Sequence, residues 1–244
     1  MNDKVIVIAG SSAGIGAALA DTLARRGAKL VLVARRKGPL SDLVSRCGAG
    51  SVGLVADMTD REDVKRVVDE TIARHGRIDV WINNVGRGIS KLPTELKDED
   101  VDLMMLVNVK SALYGMQEVL PHFKSRGQGQ IINISSMLGR VPMVPVRSAY
   151  SASKHFLNAL TANFRAEVQE THKGIQITLV SPGVVATDFG NNAVYGGVDS
   201  RSIPGAQSAE DVAEAIAGAI ESRSADVYTR PDGREMVVKY FSEL

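Results

Sequence analysis

Tyr150 and Lys154 stand four positions apart in Tyr150-Ser151-Ala152-Ser153-Lys154. On a helix that spacing puts a phenol and an ammonium on one face. A tyrosine ordinarily titrates near about 10. A unit charge ~4 Å away at an effective dielectric of ~20 is worth about 4 kcal/mol. The spacing therefore predicts that Lys154 draws the phenol towards neutral pH, where it can act as a general acid and base. A surface Tyr/Lys pair is the commoner occurrence of this pattern, so further residues have to support it. Ser135-Ser136 follows the apolar run Ile131-Ile132-Asn133-Ile134. A hydroxyl there lies at the carboxyl end of a buried strand, where α/β proteins bind ligands, and can hold a carbonyl oxygen. The plain alternative is a helix cap or a turn.

A second group of residues suits phosphate. Ala9-Gly10-Ser11-Ser12-Ala13-Gly14-Ile15-Gly16 joins an apolar run to a helix-forming stretch through Ala17, Ala18 and Leu19. Glycines let backbone N–H groups approach a pyrophosphate at a helix N-terminus, where the dipole favours negative charge. The spacing is GxxxGxG, a loose match to the GxGxxG fingerprint. The next apolar run ends in Ala34-Arg35-Arg36-Lys37. At that tip an acidic residue accepts from a ribose 2′-OH, whereas arginine accommodates a 2′-phosphate. No Asp or Glu is near, so Arg35 and Arg36 point to NADP(H) over NAD(H), against the alternative of a solvated turn.

These residues need a scaffold. Short, nearly continuous apolar runs cover residues 5–9, 30–34, 52–55, 80–83, 130–134, 175–180 and 226–229. Such runs read as parallel strands buried on both faces. Between them lie helices with their own signals. Thr59-Asp60-Arg61-Glu62 reads as a capping box for a helix ending at His75-Gly76. Ser208-Ala209-Glu210-Asp211 opens another over 212–220. Repeated βαβ units predict a Rossmann-type, doubly wound, seven-stranded parallel sheet with helices on both faces, in one domain over 1–244.

Two stretches break the rhythm. Residues 103–120 are apolar on nearly every side (Leu103, Met104, Met105, Leu106, Val107, Val109, Leu113, Met116, Val119). Such a helix must be covered on more than one face; the sheet covers one, and a second subunit or the rest of the chain covers the other. Residues 182–207 are rich in Gly and Pro without periodicity. An irregular stretch of this length is read as a lid rather than a disordered insertion.

Composition narrows the function. The 244 residues carry 29 Lys plus Arg against 28 Asp plus Glu, a net charge of +1. That balance offers no electrostatic pull towards nucleic acid or an acidic membrane. Apolar residues are 44% and charged residues 23%, enough for a sizeable core. The single cysteine, Cys47, precedes Gly48 in a loop-like stretch and reads as an ordinary thiol. His75, His122, His155 and His172 are scattered, with no HExxH pair, so no metal is expected. No apolar run reaches a membrane span. Met1-Asn2-Asp3-Lys4 lacks the features of a signal peptide, and a cytoplasmic location is expected by default.

Taken in order, the 10–16 loop, Asn83-Asn84-Val85-Gly86, Asn108, Ser136, the Tyr150/Lys154 pair and Pro182-Gly183-Val184-Val185-Ala186-Thr187 resemble the single-domain short-chain dehydrogenase/reductases over nearly the whole chain. The resemblance implies a role for each residue. Tyr150 would protonate the substrate oxygen, and Ser136 would hold the carbonyl and its developing charge. Lys154 would bind the nicotinamide ribose and depress the Tyr150 pKa. Asn108 would hold a water that relays protons from Lys154. Gly10, Ser11, Ser12, Gly14, Ile15, Gly16, Arg35, Arg36, Asp57, Met58, Asn84, Gly86, Pro182, Gly183, Val185 and Thr187 would line the cofactor, with Asp57 and Met58 at the adenine and Val185 and Thr187 at the carboxamide.

The chain departs from the family pattern in three places. Val85 replaces an alanine. Ala13 stands where many NADP-dependent members carry a base, which leaves Ser11 or Ser12 as helpers to Arg35. The Ser136–Tyr150 interval is one residue longer than usual, to be absorbed within 139–148. Met137, Leu138, Met143, Val144 and Val146, with Phe189 and Tyr195 on the lid, are expected near the substrate. Arg87, Arg140 and Arg147 could attract an acidic substrate, although solvated loop positions are the commoner reading.

The function implied is an NADP(H)-dependent carbonyl reductase or alcohol dehydrogenase, a homodimer or homotetramer acting on a small molecule. The rivals are a ketoreductase on a carrier-bound or CoA-type acyl substrate, which would dock near Arg87 and Arg140, and a non-catalytic nucleotide sensor or scaffold. An NAD-dependent sugar or polyol dehydrogenase is weakened by Arg35.

Overall fold

Seven parallel strands form one sheet in the order β3-β2-β1-β4-β5-β6-β7 in the computed structural model, which describes residues 1–48 and 50–243. The strands are β1 (Val5–Ala9), β2 (Lys29–Ala34), β3 (Val52–Val55), β4 (Val80–Asn83), β5 (Gly129–Ile134), β6 (Ile175–Ser181) and β7 (Asp226–Tyr228). The order reverses direction between β1 and β4, which opens a crevice at the carboxyl edge. The expected doubly wound sheet is what the chain adopts, and strand positions agree within a residue or two.

Alternation along each strand divides the core in two. Ile6, Ile8, Leu30, Leu32, Ile82 and Ile132 face α1 (Gly14–Arg25) and α7 (Ala209–Ser222). Val7, Val31, Val33, Trp81, Ile131 and Ile177 face α3 (Arg61–His75) and α5 (Ser111–Arg126). Both faces are therefore buried, which is why the runs are continuously apolar.

Local signals held in type but moved in detail. The α3 N-cap is Asp60, whose carboxylate accepts from Glu62 N at 3.0 Å. Thr59 instead bonds Asp57 through its hydroxyl at 2.8 Å, so the Thr59 capping box is corrected. Gly76 ends α3 in the left-handed region at φ 75°. Ser208 caps α7 by accepting from Asp211 N. Cys47 is the last residue of α2 (Lys37–Cys47) rather than part of a loop. Burial, then the Asp21 charge, pushes its thiol up to about 11, which leaves it an inert thiol at neutral pH.

The expected helix over 103–120 is α4 (Asp98–Met105) and α5 joined by a π turn, Leu106–Lys110. Leu103, Met105, Leu106, Val107, Leu113 and Leu120 are only half-buried, whereas Met104, Val109, Met116 and Val119 are fully covered. α6 (Ser148–Thr171) packs beside them. At the carboxyl-terminal end α8 (Gly233–Ser242) stands off β7 across an open groove of about 830 Å³, bordered by Tyr228, Arg230, Arg234 and Val238. Within the last segment, Leu244 lies outside the described residues. No described helix is long and apolar enough to cross a membrane.

Candidate active site

α6 presents Tyr150 and Lys154 on its buried face in its first two turns. They are 7% and 3% exposed. Lys154 Nζ donates to the Ile134 carbonyl, at the end of β5, at 2.9 Å. It lies 5.9 Å from the centroid of the Tyr150 ring. The Tyr150 hydroxyl lies near the Ser136 side chain. Burial pushes the phenol up to about 12, against the opposing pull of the nearby Ser136 hydroxyl and the Arg147 charge. Burial also brings the Lys154 ammonium down to about 8. The expectation that Lys154 lowers the Tyr150 pKa is thus corrected for this chain by itself. Loss of water disfavours the charged form of each group, which raises an acid and lowers a base.

Ser136 leaves β5 in extended conformation and caps a 3₁₀ turn, Met137–Gly139, by accepting from Leu138 N at 3.1 Å. The longer interval to Tyr150 does not separate them, because residues 142–146 are exposed and take up the slack. Met143, Val144 and Val146 are accordingly exposed, while Met137 is buried and Leu138 half-buried. Ser135 turns away and donates to Asn158, whose amide donates to the Gly139 carbonyl at 2.6 Å.

Asn108 sits in the π turn and is fully buried. Its Oδ1 accepts from Arg87 N at 2.8 Å, and its Nδ2 donates to the Arg87 carbonyl and to Ser153 Oγ at 3.0 and 3.1 Å. The side chain therefore clamps the segment after β4 to α6. A π turn within an α-helix is frequently found at a functional site.

The glycine loop has the shape a pyrophosphate requires. Gly10 and Gly14 have φ of +83° and +53°, and a Cβ on Gly16 would stand 2.2 Å from the Gly10 carbonyl. Asn84 Nδ2 holds that carbonyl at 2.8 Å. α1 begins behind Ala13, which makes no side-chain cap, so its first N–H groups remain for an anion. Ile15 packs into the core. Ser11 does not serve as a helper: it is fully buried and both its N–H and its hydroxyl go to the Val33 carbonyl, at 3.0 and 3.2 Å. Ser12 stays half-buried.

At the β2 tip Arg35 is 73% exposed at its side chain and 3.6 Å from Asp57. Arg36 precedes α2 and is exposed. Met58 is a core residue at 3% exposure, so only its backbone can meet an adenine; its side chain is withdrawn from the expected site. Gly86 is exposed, and a Cβ there would stand 3.6 Å from Lys154 Nζ.

Residues 182–207 wrap over this edge. The Pro182 carbonyl accepts from Met137 N at 2.7 Å. Val185 is buried and bridges to Gln207, and Gly183 lies close under Arg230. A Cβ on Gly14 would stand 3.3 Å from Thr187 Cγ2, so the 182–207 segment meets the glycine loop. Phe189 packs on Tyr150 with ring centroids 5.4 Å apart. Tyr195, at φ 65°, is drawn off the phenol and donates to Asp100 on α4 at 2.8 Å. Lys91 pairs with the same carboxylate at 2.8 Å and lies 4.6 Å from the Tyr195 ring centroid.

The three arginines have separate fates. Arg140 pairs with Asp226, bonds Ser181 Oγ at 3.0 Å and stacks on Tyr228, which removes it as a docking residue. Arg87 is exposed and reaches the Asn192 carbonyl at 3.4 Å. Arg147 is half-buried beside Tyr150.

Several positioning residues escaped sequence reasoning. Asn133 donates to Thr161 Oγ1 at 2.9 Å and accepts from Asn83 at 2.8 Å; Asn83 in turn takes the Trp81 indole N–H at 2.7 Å. With Asn158, they lock β4, β5 and α6 together beneath the site. A signal was present: Tyr150, Lys154, Asn158 and Thr161 recur at helical spacing along one stripe of α6.

A family model described as short chain dehydrogenase matches residues 4–195. A dehydrogenase/reductase SDR family protein 7-like of Anopheles gambiae is 36% identical over 248 residues, covering 95% of this chain and 76% of that one. A short-chain dehydrogenase from Sphingobium yanoikuyae in complex with NADPH is 28% identical at a TM-score of 0.84, over 98% of this chain and 93% of that one. A 3-ketoacyl-(acyl-carrier-protein) reductase from Brucella melitensis complexed with NADH is 25% identical at a TM-score of 0.83, over 93% and 96%.

Proposed function

The chain belongs to the short-chain dehydrogenase/reductase family of oxidoreductases, and from that premise we propose that it interconverts a carbonyl and an alcohol with NADP(H). The observation that carries the reading is the grouping of buried Ser136, Tyr150 and Lys154 at the carboxyl edge of the sheet, with Phe189 over Tyr150.

The nicotinamide, when bound, supplies or accepts the hydride at the substrate carbon. Tyr150 gives its hydroxyl proton to the carbonyl oxygen as the alcohol forms, and takes one back in the reverse direction. Ser136 turns its hydroxyl to the same oxygen and stabilises the charge that develops there. Lys154 holds the nicotinamide ribose and feeds protons towards Tyr150. The Asn108 amide nitrogen is spent on Arg87 and Ser153; Asn108 would hold the water that relays protons from Lys154. The 10–16 loop and the α1 N-terminus hold the pyrophosphate, with Arg35 and Arg36 at the 2′-phosphate and Asp57 with the Met58 backbone at the adenine. Asn84 flanks the adenosine side, Val185 and Thr187 hold the carboxamide, and Gly86, Pro182 and Gly183 line the cofactor. The lid excludes water.

The test is NADPH oxidation across ketones, aldehydes, quinones, oxo acids and oxo esters, with Tyr150→Phe as control. We expect turnover to fall at least ~10³-fold in the variant, within the range for a lost acid–base group and its geometry, with NADPH bound as before. Turnover retained in Tyr150→Phe would assign the proton to another group. Tight NADPH binding without turnover of any member of the panel would favour the sensor.

A further inference from the structure

We propose that the substrate carries a carboxylate and that Arg147 binds it, an inference that rests on the reductase reading above. Arg147 stands three residues before Tyr150, at the entrance to α6. Its guanidinium runs under the lid. A Cβ on Gly88 would stand 2.9 Å from its Nη1 and 3.1 Å from the Phe189 ring. A Cβ on Gly197 would stand 2.7 Å from its Nη2 and 2.9 Å from Ser90 Oγ. Phe189 also packs on the Tyr150 ring, so guanidinium and phenol both lie beside the same aromatic ring, close enough for the Arg147 charge to act on Tyr150.

The guanidinium is short of partners. It offers five N–H donors, and one bond is formed, from Nη1 to the Ile89 carbonyl at 3.2 Å. Among the described residues no Asp or Glu lies within 4.0 Å of it, whereas Arg126 and Arg140 are paired with Asp79 and Asp226. Arg165 also lacks a carboxylate at that distance, but it spends two groups on the Ile177 and Ala225 carbonyls. The acidic residues around the lid are taken: Asp188 and Asp199 by Arg201, and Asp100 by Lys91. Burial works against the charge on Arg147, yet an arginine does not give up its proton. A half-buried cation in this state calls for an anion, and its planar fork matches a carboxylate through two parallel hydrogen bonds. One guanidinium also matches the single charge of a carboxylate.

The alternative is that Arg147 acts only by its charge on Tyr150. The two are separated by titrating the protein, loaded with the nicotinamide cofactor it binds, with hexanoate and with hexanamide by calorimetry. The expected result is hexanoate bound at least ~10-fold more tightly than hexanamide. Arg147→Gln should erase that preference and Arg147→Lys should keep part of it, with cofactor affinity unchanged in both. No preference in the native protein, or a preference that survives in Arg147→Gln, would overturn the proposal. In turnover, Arg147→Gln should lower kcat/KM for 4-oxopentanoate by ~30-fold or more and for its methyl ester by less than ~3-fold. Equal losses on acid and ester would assign Arg147 to Tyr150 instead. A protein that binds hexanoate through Arg147 but reduces no carbonyl would sink the reductase reading alone. One that reduces neutral ketones and ignores carboxylates would sink this one alone.

Discussion

Burial at Tyr150 and Lys154 makes the stability of the cofactor-free chain depend on pH in a defined direction. Lys154 falls from an ordinary 10.5 to about 8 in the folded state. Between those values the unfolded chain holds a proton that the folded chain has released, so stability rises with pH. The rise amounts to up to about 3 kcal/mol. Tyr150 moves the other way, from 10.0 to about 12, so above pH 10 stability falls again. Urea unfolding at pH 7.5 and 9.5 should show the rise in the native protein and its loss in Lys154→Met; equal slopes would place it on other groups. Arg35 carries a separate prediction. Its side chain is exposed and its contact with Asp57 is long, so its removal costs the fold little. Arg35→Ala should weaken NADPH by roughly 1.5–3 kcal/mol, the range for a charged hydrogen bond, and leave NADH within ~2-fold. Equal losses for both cofactors would reject the 2′-phosphate assignment.

The 182–207 segment is tied to α4 by a small set of polar contacts. Asp100 receives the Tyr195 hydroxyl, the Lys91 ammonium and Lys97 N at once. Lys91 above all, then the Lys97 N–H, holds its carboxyl down to about 2. A depressed acid stabilises above its ordinary pKa and loses that effect as pH falls through the folded value. The latch should therefore stay closed at pH 5 and open as pH drops below about 4 towards 2. Tyr195→Phe removes only the hydroxyl, a bond worth about 1 kcal/mol net. Amide exchange over residues 190–197 should accelerate about fivefold, as that figure implies, while exchange in β1 and β4 stays unchanged. No change over 190–197 would mean that Phe189 and the Ile89–Val194 bridge hold the lid alone. The π turn is the other element of consequence, since it presents Asn108 to Arg87 and Ser153 together.

Across the whole molecule, α4 and α5 leave a row of half-buried apolar side chains from Leu103 to Leu120, and Val101 is 44% exposed at its head. We propose that a second copy covers this row. Light scattering at micromolar concentration should give twice or four times 26.1 kDa, and Val101→Glu should shift the population towards monomer. A monomeric native protein would overturn the proposal. The two-sided core makes a different demand: with both sheet faces buried, every polar group on β4 and β5 needs an internal partner, and Asn83, Asn133 and Thr161 supply one another.

By itself the sequence determined the strand and helix order, the glycine cradle, and the gathering of Ser136, Tyr150 and Lys154 at one edge. These follow from apolar runs, turn residues and helical spacing, which are local, and from the rule that βαβ units wind one way. Tertiary structure alone decided what surrounds each side chain. The sign of the Tyr150 shift depends on burial among residues distant in sequence, Ile89, Met104 and Phe189. Ser11 turns inward to the Val33 carbonyl on β2, and Met58 packs into the core beneath α3, both buried. Arg140 is consumed by a carboxylate 86 residues distant, while Arg147, seven residues further on, meets none among the described residues. Local spacing specifies which groups can share a face; only the packed chain specifies which of them keep water, which find a counter-charge, and which are left to bind something else.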